Sequence, residues 1–226
     1  MHTIISLIAL LCLTILMLTY SLCKHHVTIR PLLASRRCQH LQRRNNNRLF
    51  STSSSIINWT KYKSSEGLPP PSDEQKIIIE AAYAKDCNIQ VNAVAGSGKT
   101  TTILHIANTY KLFSKSTTKE GSSILALVYN AKLKTETREK KKKFKLNNLE
   151  VHNFHAFVPS HYSVIASDDK GMNQVIKTNK QPTKSFSYEL IIIDEIQDMQ
   201  PIFFNFLCKI IYDNSLQQPC QLMVLG

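Results

Sequence analysis

Ala93-Val-Ala-Gly-Ser-Gly-Lys-Thr100 is the stretch whose reading decides the fold. The apolar run Ile89–Val94 leads into it and reads as a strand, while Lys99–Leu112 follows as a helix. A glycine-rich turn between strand and helix, ending in Gly-Lys-Thr, is the setting in which backbone N–H groups converge on phosphate. Glycine permits the tight curl, and the helix N-terminus adds its partial positive charge. The candidate phosphate cradle is Ala95, Gly96, Ser97, Gly98, Lys99, Thr100 and Thr101. Lys99 would reach the β- and γ-phosphates of ATP, and the Thr100 hydroxyl would ligate Mg²⁺. A glycine-serine turn without a ligand is the plainer alternative, but such turns rarely end in Lys-Thr and open a long helix. Ala93 stands where the strict pattern has its first glycine.

Leu190-Ile-Ile-Ile-Asp-Glu-Ile-Gln-Asp198 supplies the second half of the candidate site. An apolar strand ending in Asp194 delivers a carboxylate to the edge where parallel sheets bind ligands, where it can hold Mg²⁺. Glu195 is then placed to act as general base on an attacking water. An Asp-Glu pair capping the next helix is the plainer reading of this stretch alone; it weakens beside the Gly-Lys-Thr turn. A guanine reader is excluded, because Thr178-Asn-Lys-Gln-Pro182 has Pro182 where an Asp is required. Small-molecule kinases do not usually carry Gln and Asp after the acidic pair, which leaves motor ATPases as the leading class.

Between and beyond these motifs, apolar strands alternate with helices. Strands are expected at Ser123–Tyr129, Leu149–Asn153 and Cys220–Leu225, and helices at Ala131–Lys142 and Pro201–Tyr212. Ser72 and Gln75 form a capping-box pattern that starts another helix. Strands that are continuous apolar runs, in βαβα order, predict an α/β fold: a parallel sheet covered by helices on both faces.

Composition sets the outer bounds. With 43% hydrophobic and 19% charged residues the chain is globular in character. Its net charge of +12 is concentrated at the start: residues 1–65 hold nine Lys or Arg and no acid. The six cysteines are scattered, so neither a disulfide framework nor a metal cluster is expected, and Cys208 and Cys220 read as buried small hydrophobes. Residues 4–23 form an uncharged stretch long enough to span a membrane, and 24–65 are basic and Ser-rich like a transit peptide. Three readings fit: a bipartite signal and transit segment, a signal anchor, or a presequence starting at Met17. A mistaken gene model is the plain alternative, which would leave a nuclear location open. An organelle, the mitochondrion first, is the expected location. Residues 66–71 read as a Pro-rich linker, and 72–226 as the folded domain.

A-x-A-G-S-G-K-T joined to D-E-x-Q-D resembles the UvrD/Rep-type superfamily 1 DNA helicases, including the F-box DNA helicase branch, over about residues 70–226. In that family Ala at the first loop position is ordinary. The resemblance implies a RecA-like P-loop NTPase domain using ATP and Mg²⁺ to move on single-stranded DNA or DNA junctions. It makes Gln75 the adenine reader, and Gln197 with Asp198 the pair linking γ-phosphate state to movement. Tyr129, Asn130 and Lys132 look like one strand-contact motif, and Phe154 with His155 like the next; taken alone, the last two read as core or cap residues. The Lys140–Lys143 run reads first as a solvated helix end and second as a phosphate contact. His155 and Asp194 lie only 39 positions apart, too few for the large inserted subdomain of the bacterial enzymes. The family continues past Gly226 with a third motif and a second RecA-like domain, so the expected partner is that missing domain. The isolated chain is expected to be inactive. A non-catalytic nucleotide- or DNA-binding module derived from a helicase, or a gene fragment, is the competing reading.

Overall fold

The computed structural model describes residues 56–94, 96–113, 123–129, 131–165 and 168–226. The expected membrane-length and transit-like segments up to residue 55, as well as Ala95 and Asn130, lie outside these residues. Among the described residues no helix is long and apolar enough to cross a membrane.

Five strands form one sheet: β1 (Ile89–Val91), β2 (Ile124–Val128), β3 (Leu149–Asn153), β4 (Leu190–Ile193) and β5 (Gln221–Leu225). Their order is β1-β5-β4-β2-β3 and every pairing is parallel. β2 and β4 are buried at every position, as a strand covered on both faces must be. The helices are α1 (Asp73–Ala84), α2 (Lys99–Phe113), α3 (Ala131–Lys143), α4 (Phe154–Tyr162), α5 (Asp169–Lys177) and α6 (Pro201–Ser215), with a 3₁₀ turn at Ile196–Asp198. The α/β fold with both faces covered is therefore the observed one.

Strand alternation sends side chains to two cores. Ile124, Ala126, Val128, Leu149, Val151, Leu190 and Ile192 pack with α1 and α2 on one face. Leu125, Leu127, Ile191 and Ile193 pack with α4, α5 and α6 on the other. Helix α1 begins as its capping box predicts: Ser72 Oγ accepts from Gln75 N, and Gln75 Oε1 accepts from Ser72 N. The second face is tied by buried polar groups: Tyr162 Oη donates to Asp213 at 2.6 Å and Lys209 Nζ donates to the same carboxylate at 2.5 Å. Asn214 accepts from Tyr188 N and donates to Tyr188 O, as a backbone partner would.

Several expectations need correcting. Residues 56–71 are packed onto the domain: Ile57 and Leu68 are buried in the first core, and Tyr62 Oη bonds His105 Nδ1 at 2.7 Å. The folded unit thus extends N-terminal to the expected start at residue 72, through the stretch read as a linker. Strand β1 stops at Val91, three residues short, because the chain is already turning into the loop. Two short helices, α4 and α5, lie in the stretch between β3 and β4 without a sequence pattern that announces them. Pro159 sits inside α4 and Gly171 inside α5, residues that ordinarily argue against a helix. Capping by Asn153 and Asp168, whose side chains accept from Ala156 N and Gly171 N, and burial of Phe157 and Met172 outweigh them. Cys208 and Cys220 are only partly buried.

Candidate functional site

Because all five strands run the same way, the described candidates that follow strands emerge at one edge of the sheet, and Gln75 reaches it from α1. The glycine-rich loop follows β1, Tyr129 follows β2, Phe154 and His155 follow β3, and Asp194 follows β4. Strand order separates these into two groups, with β4 between them.

On the β1 side the loop curls as its glycines allow. Gly96 and Gly98 have φ of +81° and +84°, the left-handed region that penalises a side chain. Gly98 has a second constraint: a Cβ there would stand 2.9 Å from Gln75 Nε2. The Gln75 amide donates to Thr102 Oγ1 at 3.1 Å and to the Gly98 carbonyl at 3.4 Å, while its oxygen caps α1. Gln75 therefore fastens α1 to the loop; donating to adenine would require it to give up one of its two N–H bonds, while its oxygen keeps a second lone pair for accepting. Ser97 N donates to Val94 O, and Ala93 N to Gly226 O, anchoring the loop's start to the end of β5. Beside the loop lies a cavity of about 420 Å³ bordered by Ser72, Gln75, Ile78, Asn92 and Lys99, a size suited to a small organic ligand.

The carboxylates lie at the end of β4. Asp194 is 4% exposed, and its Oδ1 accepts from Glu195 N. Burial, then the Glu195 charge, raise the Asp194 carboxyl, with Lys99 opposing. Glu195 adopts φ 56°, a left-handed conformation costly for a residue with a side chain. That turn sets its carboxylate against Lys99, Nζ to Oε1, at 3.0 Å. Gln197 Nε2 bonds the other oxygen, and this bond, with Lys99 and against burial, holds Glu195 below the usual carboxylate range. Lysine, acid pair and glutamine are thus brought together across 95 positions of sequence. Hard oxygen donors, the Asp194 carboxylate and the Thr100 hydroxyl, fit Mg²⁺, whose charge would offset the cost of burying Asp194. Thr101 lies on the first turn of α2, partly buried.

On the β3 side the aromatic residues meet through a residue that sequence reasoning missed. Phe203, on α6, stacks on Phe154 with centroids 5.1 Å apart and planes 11° apart. Its ring also meets Tyr129 at 6.3 Å and His155 at 5.5 Å, both edge-on. Phe154 is 3% exposed with its face covered, so it supports this edge from beneath and does not offer a surface. Tyr129 is 37% exposed, Lys132 is exposed, and His155 is partly open with Nε2 bonded to Asp169 at 2.9 Å. An aromatic every few residues along α6 reads as ordinary core in the sequence, which is why Phe203 carried no signal.

A second cluster lies beside β3, on the face that carries α4. Glu150, His152 and His161 bring one ligand atom each within 4.8 Å of one another, a grouping the scattered sequence spacing did not suggest. Arg138 can only donate, so its 3.2 Å contact makes His152 Nδ1 an acceptor and directs the Nε2 proton to Glu150. Tyr188 Oη donates to the other Glu150 oxygen. Burial would raise the Glu150 carboxyl, yet hydrogen bonds from His152, His161 and Tyr188 hold it well below the carboxylate range. Bonds already made within the chain explain this group.

A family model described as AAA domain matches residues 75–226, and no curated protein matches the chain.

Proposed function

We propose that this chain, which belongs to the AAA domain family, is the ATP-binding first motor domain of a UvrD/Rep-type superfamily 1 DNA helicase. Membership makes it a P-loop nucleotide-binding domain; the motor role is the finer reading. One observation supports it above others. A single sheet edge carries the Lys99–Glu195–Gln197 group on one side of β4 and the Tyr129, Lys132 and His155 surface on the other.

Phosphate binding at Lys99 draws that cation away from Glu195, leaving the carboxylate to accept a proton from water. Thr100 and Asp194 would hold Mg²⁺, which would neutralise phosphate charge. Turnover in the intact protein then drives movement along single-stranded DNA, with a second domain of the same fold closing the cleft. Exposed Tyr129 offers a ring to a base, and Lys132 a charge to the phosphate backbone, the pairing that sequence-tolerant strand binding uses. An organelle location, mitochondrion first, is part of the proposal. Arg48-Leu-Phe-Ser-Thr52 resembles the cleavage region of mitochondrial presequences, and a cut there would leave the packed segment from Ile57 onward intact.

The test is anisotropy of a fluorescein-labelled oligo(dT) titrated with the 226-residue chain. Tyr129→Ala should weaken binding about tenfold, as loss of one base stack does. Unchanged affinity in that variant, or no binding by the unsubstituted chain, would contradict the strand-binding role.

A further inference from the structure

We infer that Phe203 is the positioning residue through which the nucleotide side of the sheet edge sets the strand-contact side. The inference rests on the single-strand reading above and adds to it a residue that no motif assigns.

Three observations carry it. Phe203 touches Tyr129, Phe154 and His155, which come from the ends of two different strands, so one ring fixes all three relative to each other. It is 8% exposed, and so acts through these neighbours and not by direct contact with a base. It also stands at the third position of α6, Pro201–Ser215, which starts three residues after the 3₁₀ turn bearing Gln197 and Asp198. Met199, between turn and helix, is buried in the same core as Phe203. The chain from Glu195 to Phe203 is thus a short path with little slack. Its first residue bonds Lys99, and its last carries the aromatic edge.

A displacement of Gln197 or Glu195, when phosphate takes Lys99, pulls on the start of α6. Packed side chains pass such movement as discrete rearrangements, not as smooth deformation. A shift of the Phe203 ring changes how far Tyr129 stands into solvent and how His155 is held by Asp169. Nucleotide and strand then both act on the arrangement of one ring, and each raises or lowers affinity for the other by an equal factor.

The experiment uses the full chain and measures oligo(dT) affinity by anisotropy, without nucleotide and with Mg²⁺ and a non-hydrolysable ATP analogue. The unsubstituted chain should show a ratio between the two affinities of roughly fivefold or more, the ordinary scale of coupling between two sites. Phe203→Leu, which keeps apolar bulk but removes the ring, should bring that ratio close to one while leaving affinity for a fluorescent ATP analogue unchanged. Phe203→Tyr, which keeps the ring, should restore the ratio, an outcome that a merely structural role would not produce. The inference is overturned if Phe203→Leu retains the full ratio, or if the unsubstituted chain binds oligo(dT) equally with and without nucleotide. Absence of any oligo(dT) binding by the unsubstituted chain would remove the single-strand reading itself, and this inference with it.

Discussion

The first face of the sheet is packed mainly with aliphatic side chains: Ile103, Ile106, Ile124 and Ile192 fill it, with Tyr110 buried among them and with His105 and Asn108 of α2 bonded to Tyr62 and to the Lys63 carbonyl. Its second face is packed with rings, Phe157, Tyr162, Phe186, Tyr188 and Phe206, and these are laced with buried polar groups. Aliphatic packing is non-directional, so most of what holds α2 to the sheet prescribes no single contact. Aromatic and polar packing is directional, and each buried donor needs its acceptor. The nucleotide side of the edge is therefore a rigid cradle on a forgiving core. The strand-contact side rests on a core in which losing one partner disturbs several.

Paired substitutions put that contrast at risk. Asp213→Ala strands both the Lys209 ammonium and the Tyr162 hydroxyl, which are buried. Removing one partner of a buried ion pair costs about 3–5 kcal/mol, so chemical denaturation should show a loss of that size. Ile103→Val on the aliphatic face deletes one methylene and should cost about 0.5–1.5 kcal/mol. Equal losses at the two sites would break the distinction.

Acid should act on both faces through one histidine each, which sharpens the comparison. Burial lowers His105 on the first face and His152 on the second below their ordinary value of 6.5. Each stays neutral in the folded chain while the unfolded chain takes up a proton, so stability falls as pH drops through 6.5. The depressed Glu150 behaves as a carboxylate does: its contribution is present above its ordinary value of 4.5 and is lost as pH falls below it. Melting temperature should therefore decline from pH 7.5 to 5.5, and again below about 4.5. A curve flat across the first interval would contradict the burial of these imidazoles as neutral groups.

The first face and its site were also the more legible in the sequence. Glycine-rich loop, Lys99, the apolar run into Asp194, and the Ser72–Gln75 cap are local patterns, and local patterns survive in a one-dimensional reading. Contacts between distant residues do not. Tyr62 meets His105 across 43 positions and Tyr162 meets Asp213 across 51, so the packing of 56–71 and the order of α4 were hidden. The left-handed Glu195 was equally hidden, because no residue type in Asp-Glu-Ile-Gln announces it. Phe203 shows the same limit from the other side: its composition is that of any core helix, and only its neighbours give it a role.

The central claim is that Lys99, fixed by the loop and turned toward Glu195, holds the phosphates of Mg-ATP. Titration of the 226-residue chain with a fluorescent ATP analogue and Mg²⁺, set beside Lys99→Ala, tests it directly. Saturable binding by the unsubstituted chain that is lost in Lys99→Ala is the predicted result. Equal binding by both proteins, or none by the unsubstituted chain, would contradict it.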